Sequence, residues 1–443
     1  MIKVTNNLSG KEEIFKSRVP NKVDLYVCGV TPYDYSHLGH GRCYVSFDLL
    51  YRVLTFLGYD VTYCRNYTDI DDKIIKKAEQ EFGDKQRYAD ITKKYIAHYQ
   101  DDMKALNCVV PDHEPRVTEN IDDIITFISG LIEKGKAYEA DGDVYFSIKS
   151  FPEYGKFSKH DVKDLRVGQR VEPNSKKRDP LDFALWKSEF EGQFWQSPWG
   201  WGRPGWHIEC SVLASKYLGT QIDIHAGGMD LIFPHHENEI AQSEALHGKP
   251  FANYWMHNGF VQINKEKMSK SLGNFFTLQE IFKKYDPMVV RFYFLNHQYR
   301  APLDFSFDDL DAFQKSYQKL CRVFEKECSQ LTNEEIKKSP TVQKMLAFLQ
   351  DDLNTPGMMG VVFESLRELE KNESERCAVK AFIQKVLGLN LQSLPEKEIE
   401  VTEQMKRLIA ERETARAEKN WTRADEIRDK LVELGYKIQD KKL

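Results

Sequence analysis

The passage from Val23 to Leu57 constrains this chain more than any other. An apolar run, Val23-Asp24-Leu25-Tyr26-Val27, leads to the turn His37-Leu38-Gly39-His40 and then to a helix-like stretch from Gly41 to Leu57. Strand, glycine-bearing turn and helix, in that order, put two imidazoles and a bare backbone at a helix N-terminus. Such a place favours anions, because N–H groups and the helix dipole point at whatever binds there. Far down the chain stands Lys267-Met268-Ser269-Lys270-Ser271, a polar segment with two ammonium groups. Together the segments suit a nucleotide polyphosphate gripped from two sides.

With 443 residues the chain exceeds one hydrophobic core, so two or three domains are expected. Strand-like and helix-like segments alternate from Val23 to about Ile132, as in an α/β sheet. Val61 to Asn66 reads as a second strand, and Asp69 to Glu81 as a helix with an acidic start. Residues 135–205 break the alternation with Gly/Pro-rich and basic pieces, among them Ser175 to Pro180 and Pro198 to Gly202, and read as an insertion. The pattern resumes with Gln221-Ile222-Asp223-Ile224-His225 and the turn Ala226-Gly227-Gly228, where open α/β sheets place ligands. From about Asp309 the sequence is helical, with polar breaks at 354–357 and 391–400.

Charge and cysteine content narrow the class. A net charge of −5 argues against general nucleic-acid binding but leaves room for a basic face. No run approaches ~18 consecutive apolar residues, so no membrane span is expected. The N-terminus lacks a signal-peptide pattern. Eight cysteines (28, 43, 64, 108, 210, 321, 328, 377) then fit a reducing compartment, most of them as buried thiols. A cytoplasmic location is expected.

Two of those cysteines have metal-like company. Cys28 ends the first strand, Cys210 closes Trp206-His207-Ile208-Glu209-Cys210, and His235 and Glu239 are spaced so that a helix shows both on one face. Pro234 suits the first turn of that helix. Two thiolates, an imidazole and a carboxylate make a four-ligand zinc set. Spacing alone leaves a second reading open, that of two buried cysteines and a surface His/Glu pair.

Five blocks carry a family resemblance. Cys28-Gly29-Val30-Thr31-Pro32-Tyr33-Asp34 with His37 to Arg42, then Arg65 to Lys73, Gly205 to Cys210, Gly227 to Glu239, and Lys267 to Ser271 closely resemble the class I aminoacyl-tRNA synthetases specific for cysteine, in the expected order. The resemblance runs from residue 1 into the C-terminal helices. Leu38 stands where isoleucine is usual in the class I histidine motif, a conservative swap.

That family makes cysteinyl-adenylate from cysteine and ATP and transfers cysteine to the terminal adenosine of its tRNA. The resemblance implies that His37 and His40 contact ATP phosphates, and that Gly39 lets adenine approach the backbone. Lys267 and Lys270, with Ser269 on the same ATP-binding segment, would stabilise departing pyrophosphate, and Asp230 would meet the ribose hydroxyls. It implies zinc, one per chain, on Cys28, Cys210, His235 and Glu239, with the substrate thiolate as a further ligand. Gly29, Thr68, Trp206 and His225 would surround bound cysteine. Magnesium is expected with ATP. A size-measuring pocket separates cysteine from serine poorly, whereas metal ligation does so well, so no proofreading domain is needed. The insertion is too short for a large one. Cys43, Cys64 and Cys108 are expected to be core thiols, and Trp195, Trp199 and Trp201 to frame the insertion.

The architecture implied is a Rossmann-like parallel-sheet catalytic domain in two halves, 1–134 and 206–250, split by a connective insertion at 135–205. A linker and stem-contact region, 251–308, carries the lysine segment. A helical tRNA-binding domain at 309–392 and a small helical anticodon-binding region at 393–443 follow. Residues 401–443 hold eleven Lys/Arg against nine Asp/Glu, a modest shift toward an RNA-facing surface, with Trp421 as a base-stacking candidate. On charge alone, a solvated ion-paired helix remains open there. The expected partners are ATP, L-cysteine and tRNA(Cys), acting on a monomer. A ligase of the same fold that passes cysteine to a sugar amine is the alternative, and the long helical C-terminus counts against it.

Overall fold

The computed structural model describes residues 1–159, 176–267, 275–394 and 402–433. Its central strand, β3 (Lys22–Val30), is buried on both faces over most of its length, which is why it reads as a near-continuous apolar run. Strands β1 (Lys3–Asn6) and β2 (Lys11–Ile14) form a hairpin before it. The main sheet joins β3 to β4 (Asp60–Tyr67), β10 (Ile222–Gly228) and β11 (Ala252–Asn258) in the order β11-β10-β3-β4. Every pairing is parallel. From β3 the chain moves outward to β4, and from β10 it moves outward to β11 on the opposite side. Between β3 and β10 the strand order therefore reverses, and their carboxyl ends frame a crevice.

Helix α1 (Leu38–Leu57) crosses from β3 to β4 and is buried nearly all round, its cap residue Gly58 taking a left-handed φ of 104° that a side chain would strain. Truncating Leu50, fully buried on α1, to alanine is expected to cost about 2–5 kcal/mol. Helix α2 (Asp72–Phe82) starts later than Asp69 because Asp71 supplies the cap, accepting from Lys73 N at 2.9 Å. Asp69 is drawn away: it is buried and accepts from Thr118 N at 3.0 Å and Thr118 Oγ1 at 2.6 Å. Helices α3 (Tyr88–Ala105) and α4 (Ile121–Glu133) complete the first half.

The insertion is itself a folded sheet. Strands β5 (Ala137–Ala140), β6 (Asp143–Phe146), β7 (Phe183–Ser188), β8 (Trp195–Ser197) and β9 (Gly200–Pro204) pair antiparallel in the order β5-β6-β7-β9-β8. Trp199 packs on Trp186 with ring centroids 5.9 Å apart. Helices α5 (Trp206–Tyr217) and α6 (Glu237–His247) then return the chain to the main sheet. Pro234 does not open α6. Residues Ile232–His236 form a separate wide turn containing a cis Phe233–Pro234 bond, and α6 starts after it.

After β11, strands β12 (Val261–Ile263), β13 (Glu266–Lys267) and β14 (Leu303–Asp304) make a small sheet in the order β13-β12-β14. The helices from Phe307 to Phe382 follow, and the described chain divides into two compact units, Met1–Gln392 and Ser393–Leu443. The second unit pairs helices Glu403–Ala417 and Trp421–Glu433 around Met405, Ile427 and Leu431.

Most of the cysteines are buried free thiols, as expected. Cys28, Cys43, Cys64, Cys108, Cys210 and Cys321 are free, but Cys328 and Cys377 form a disulfide, because the loop after helix Phe307–Val323 brings Cys328 within 5.4 Å (Cα–Cα) of Cys377 on helix Glu373–Phe382. Cys108 is only partly buried. No helix among the described residues is long and apolar enough to cross a membrane.

Candidate active site

A cavity of about 660 Å³ opens at the carboxyl ends of β3 and β10, where the strand order reverses. Cys28, Gly29, His37, Gly39, His40, Thr68, Trp206, Cys210, Asp230 and His235 all line it. His225 and Glu239 do not; they lie fully buried beyond the wall formed by the cysteines and His235.

The histidine turn caps its own helix. His37 Nδ1 accepts from Gly39 N at 3.0 Å, and His40 Nδ1 accepts from His37 N at 3.3 Å. The rings stack at 3.8 Å. Because each Nδ1 serves as an acceptor, each Nε2 carries the proton, the tautomer that donates to a phosphate oxygen. Gly39 is required locally, since a Cβ there would lie 2.8 Å from the His37 ring. Gly29 is required by the adjoining strand, where a Cβ would fall 1.5 Å from the Asn66 carbonyl oxygen.

Behind the cavity wall, ligand-type atoms converge. One atom each from Cys28, Cys210, His235 and Glu239 lies within 4.8 Å of the others, and the same holds for Cys28, His225, His236 and Glu239. Cys28 Sγ is 3.7 Å from Cys210 Sγ and 3.2 Å from His236 Nε2. Glu239 Oε1 is 3.0 Å from His235 Nε2. A second layer surrounds them: His207 Nδ1 is 3.0 Å from His235 Nδ1, and His257 Nε2 is 2.8 Å from His236 Nδ1. Trp206, partly exposed, stacks on His235 at 4.3 Å. Thr68 Oγ1 donates to Glu209 Oε2 at 2.7 Å.

Charge in this cluster is set by its members. The Cys28 hydrogen bond holds the Cys210 thiol down, to about 6, against burial, while burial drives Cys28 well above the usual thiol range. Burial acts to raise Glu239, but His225 and His235 outweigh it and bring the carboxyl to about 2. Burial pushes His207, His236 and His257 down, so those imidazoles stay neutral.

Asp230 sits exposed on the short turn Met229–Leu231 after β10. Lys267 ends β13, while Ser269 and Lys270 lie outside the described residues. His207, His236 and His257 escape a sequence reading, since each meets its partner only through the fold; the adjacency of His235 and His236 is the one signal that could have raised His236.

Residues 14–315 match the family described as tRNA synthetases class I (C) catalytic domain, and residues 399–443 match the Cysteinyl-tRNA ligase anticodon binding domain. A cysteine–tRNA ligase of Geobacter metallireducens is 46% identical over 476 aligned residues, covering 99% of this chain and 98% of that one. The chain belongs to the cysteine–tRNA ligase family. A cysteine–tRNA ligase of Aquifex aeolicus is likewise 46% identical, over 99% of this chain and 97% of its own. The methionyl-tRNA synthetase of Mycobacterium tuberculosis, solved with methionyl-adenylate, shares the fold at 14% identity with a TM-score of 0.59, over 84% of this chain and 92% of that one.

Proposed function

We propose that this cysteine–tRNA ligase family member joins L-cysteine to ATP as cysteinyl-adenylate and passes the cysteine to tRNA(Cys), as a monomer in the cytoplasm. One observation carries the reading: a single cavity is lined both by Cys28, Cys210 and His235 and by the His37/His40 helix terminus. In the first step a cysteine carboxylate oxygen attacks the α-phosphorus of ATP, and the bond to the pyrophosphate oxygen breaks. In the second, a hydroxyl of the terminal adenosine attacks the acyl carbon and AMP leaves.

The donor set fits zinc: two sulfurs, an imidazole and a carboxylate, all buried and convergent. Zinc there would supply a centre that binds thiolate far better than a neutral hydroxyl, separating cysteine from serine. Cys28, Cys210, His235 and Glu239 are the preferred holders over the set with His225 and His236. Three of the four also line the cavity that a substrate thiol must enter. His225 then orients Glu239, and Thr68, Trp206 and Gly29 bound the cysteine. His37 and His40 donate to phosphate oxygens, Asp230 faces the ribose, and Lys267, Ser269 and Lys270 act on pyrophosphate, with magnesium accompanying ATP. The match of residues 399–443 to an anticodon-binding domain speaks against a sugar-amine acceptor.

Charging assays with labelled cysteine and serine test the reading. Cysteine should become esterified to tRNA(Cys) and serine should not. Transfer of activated cysteine to an amino sugar, with tRNA left uncharged, contradicts it.

A further inference from the structure

Arg42 lies two residues beyond His40 on α1, is 1% exposed, and directs its guanidinium at backbone rather than at a carboxylate. Nη1 donates to the carbonyls of Gly259 (3.1 Å) and Phe260 (2.8 Å). Nη2 donates to those of Gln298 (3.1 Å), Tyr299 (3.3 Å) and Ala301. A buried guanidinium held by carbonyls alone forgoes an ion pair's attraction, so its value lies in where it holds those carbonyls. The planar fork presents one nitrogen to each of two chain segments, Nη1 to 259–260 and Nη2 to 298–301, in a fixed geometry.

Each of the two segments leads into a strand of the small sheet. Residues 259–260 run directly into β12, which pairs at Gln262 with Lys267 of β13; residues 298–301 run into β14, which pairs at Leu303 with Val261 of β12. Arg42 thus grips the base of the small sheet whose edge strand ends at Lys267. The joint has no slack: Gly259 N donates to Tyr299 O at 2.9 Å, and a Cβ on Gly259 would lie 2.3 Å from Ala301 O. The strand side of the joint, Asn258 to Val261, also lines the cavity that His37, Gly39 and His40 line. Past the lysine segment the chain returns to the same turn, where Leu278 N donates to Ser36 O at 2.8 Å and Leu38 N to Phe276 O at 3.3 Å.

We propose that Arg42 is a positioning residue for adenylate formation, setting the distance between the His37/His40 helix terminus and the sheet that ends at Lys267. The inference rests on the adenylate-forming reading above. A misplacement of about 1 Å at such a joint is enough to cost on the order of 10²-fold in rate while substrate contacts elsewhere persist. Loss of the fork therefore lowers turnover and leaves ground-state binding nearly intact.

The test measures cysteine-dependent pyrophosphate–ATP exchange, normalised to titrated active sites, for wild type, Arg42→Gln, Arg42→Lys and Gly259→Ala, with bound zinc and melting temperature recorded. Arg42→Gln should lose at least tenfold in kcat with both KM values within about threefold, and Arg42→Lys should recover part of the loss. Gly259→Ala, whose Cβ would press on the Ala301 carbonyl that Arg42 also holds, should show the same split and keeps the test decisive if Arg42→Gln does not fold. Wild-type kcat per titrated site in Arg42→Lys and Gly259→Ala, with any activity loss matching the unfolded fraction, overturns the proposal. Absence of exchange in wild type refutes the underlying reading instead.

Discussion

His225 Nε2 lies 2.8 Å from Glu239 Oε2, with both side chains fully buried. The other carboxylate oxygen, Oε1, faces His235 and Cys28. One imidazole thus fixes how Glu239 presents its remaining oxygen to the cysteines. A partner of this kind commonly changes metal affinity by about 10–100-fold. His225→Asn should therefore weaken zinc retention by about that factor, measured by competition with a chromophoric chelator. Unchanged retention removes the orienting role.

Lys270 is assigned to charge that develops on pyrophosphate as the adenylate forms. Lys270→Ala should slow that step by about 10²–10³-fold while ATP affinity changes little. Rapid-quench kinetics separate the two quantities. Weaker ATP binding at an unchanged chemical rate would contradict the assignment.

Asp102 on α3 titrates unusually. Burial, then the neighbouring Asp101, push its carboxyl up to about 7, against a hydrogen bond from Ser36. Raised above its unfolded value near ~4, the folded state binds the extra proton between those values. Its contribution to stability is present below pH ~4, declines as pH rises toward about 7, and is gone above it. Asp102→Asn should flatten this decline, by on the order of 1–4 kcal/mol between pH 5 and 8 in urea denaturation. An identical pH slope in the two proteins would show that Asp102 does not titrate in that range.

The Cys328–Cys377 bridge closes a 49-residue separation. Its chain-entropy contribution is about 4 kcal/mol, and breaking it should ease unfolding of the helices from Phe307 to Phe382. Alkylation and mass spectrometry without reductant should find six reactive thiols after denaturation, and eight after reduction. Eight without reductant would show that the bond is absent.

How much of this was readable in advance depends on the physics of each element. Strand β3 and helix α1 are legible because a buried parallel strand is a continuous apolar run and its crossover helix follows at once. The sheet over 137–204 is not. Its strands are only three to six residues long, are interrupted by glycine and proline, and find their register through partners distant in sequence. Asp69 misleads because a tertiary bond to Thr118 outcompetes its helix-start propensity. The helix from Trp421 holds three basic residues against four acidic ones, and Arg423 pairs with Glu411 and Glu426 while Arg428 pairs with Asp425 and Asp429, so the slight positive balance of residues 401–443 does not come from this helix. Nothing in the sequence separates Arg42 from the block that ends on it; only the fold brings the carbonyls of 259–260 and 298–301 around it.

Removing the second unit separates the two half-reactions. A chain ending at Gln392 keeps the cavity and its lining. It should still exchange pyrophosphate with cysteine, while the efficiency of tRNA charging falls at least tenfold. Equal charging by the shortened and full chains would reject an anticodon role for residues 399–443.

The most direct test of the account is cysteine-dependent exchange of pyrophosphate into ATP, run on metal-stripped protein and again after zinc is restored. Exchange is expected with cysteine and not with serine, lost on stripping and recovered with about one zinc per chain. Undiminished, cysteine-selective exchange in protein shown by elemental analysis to hold no metal would contradict it.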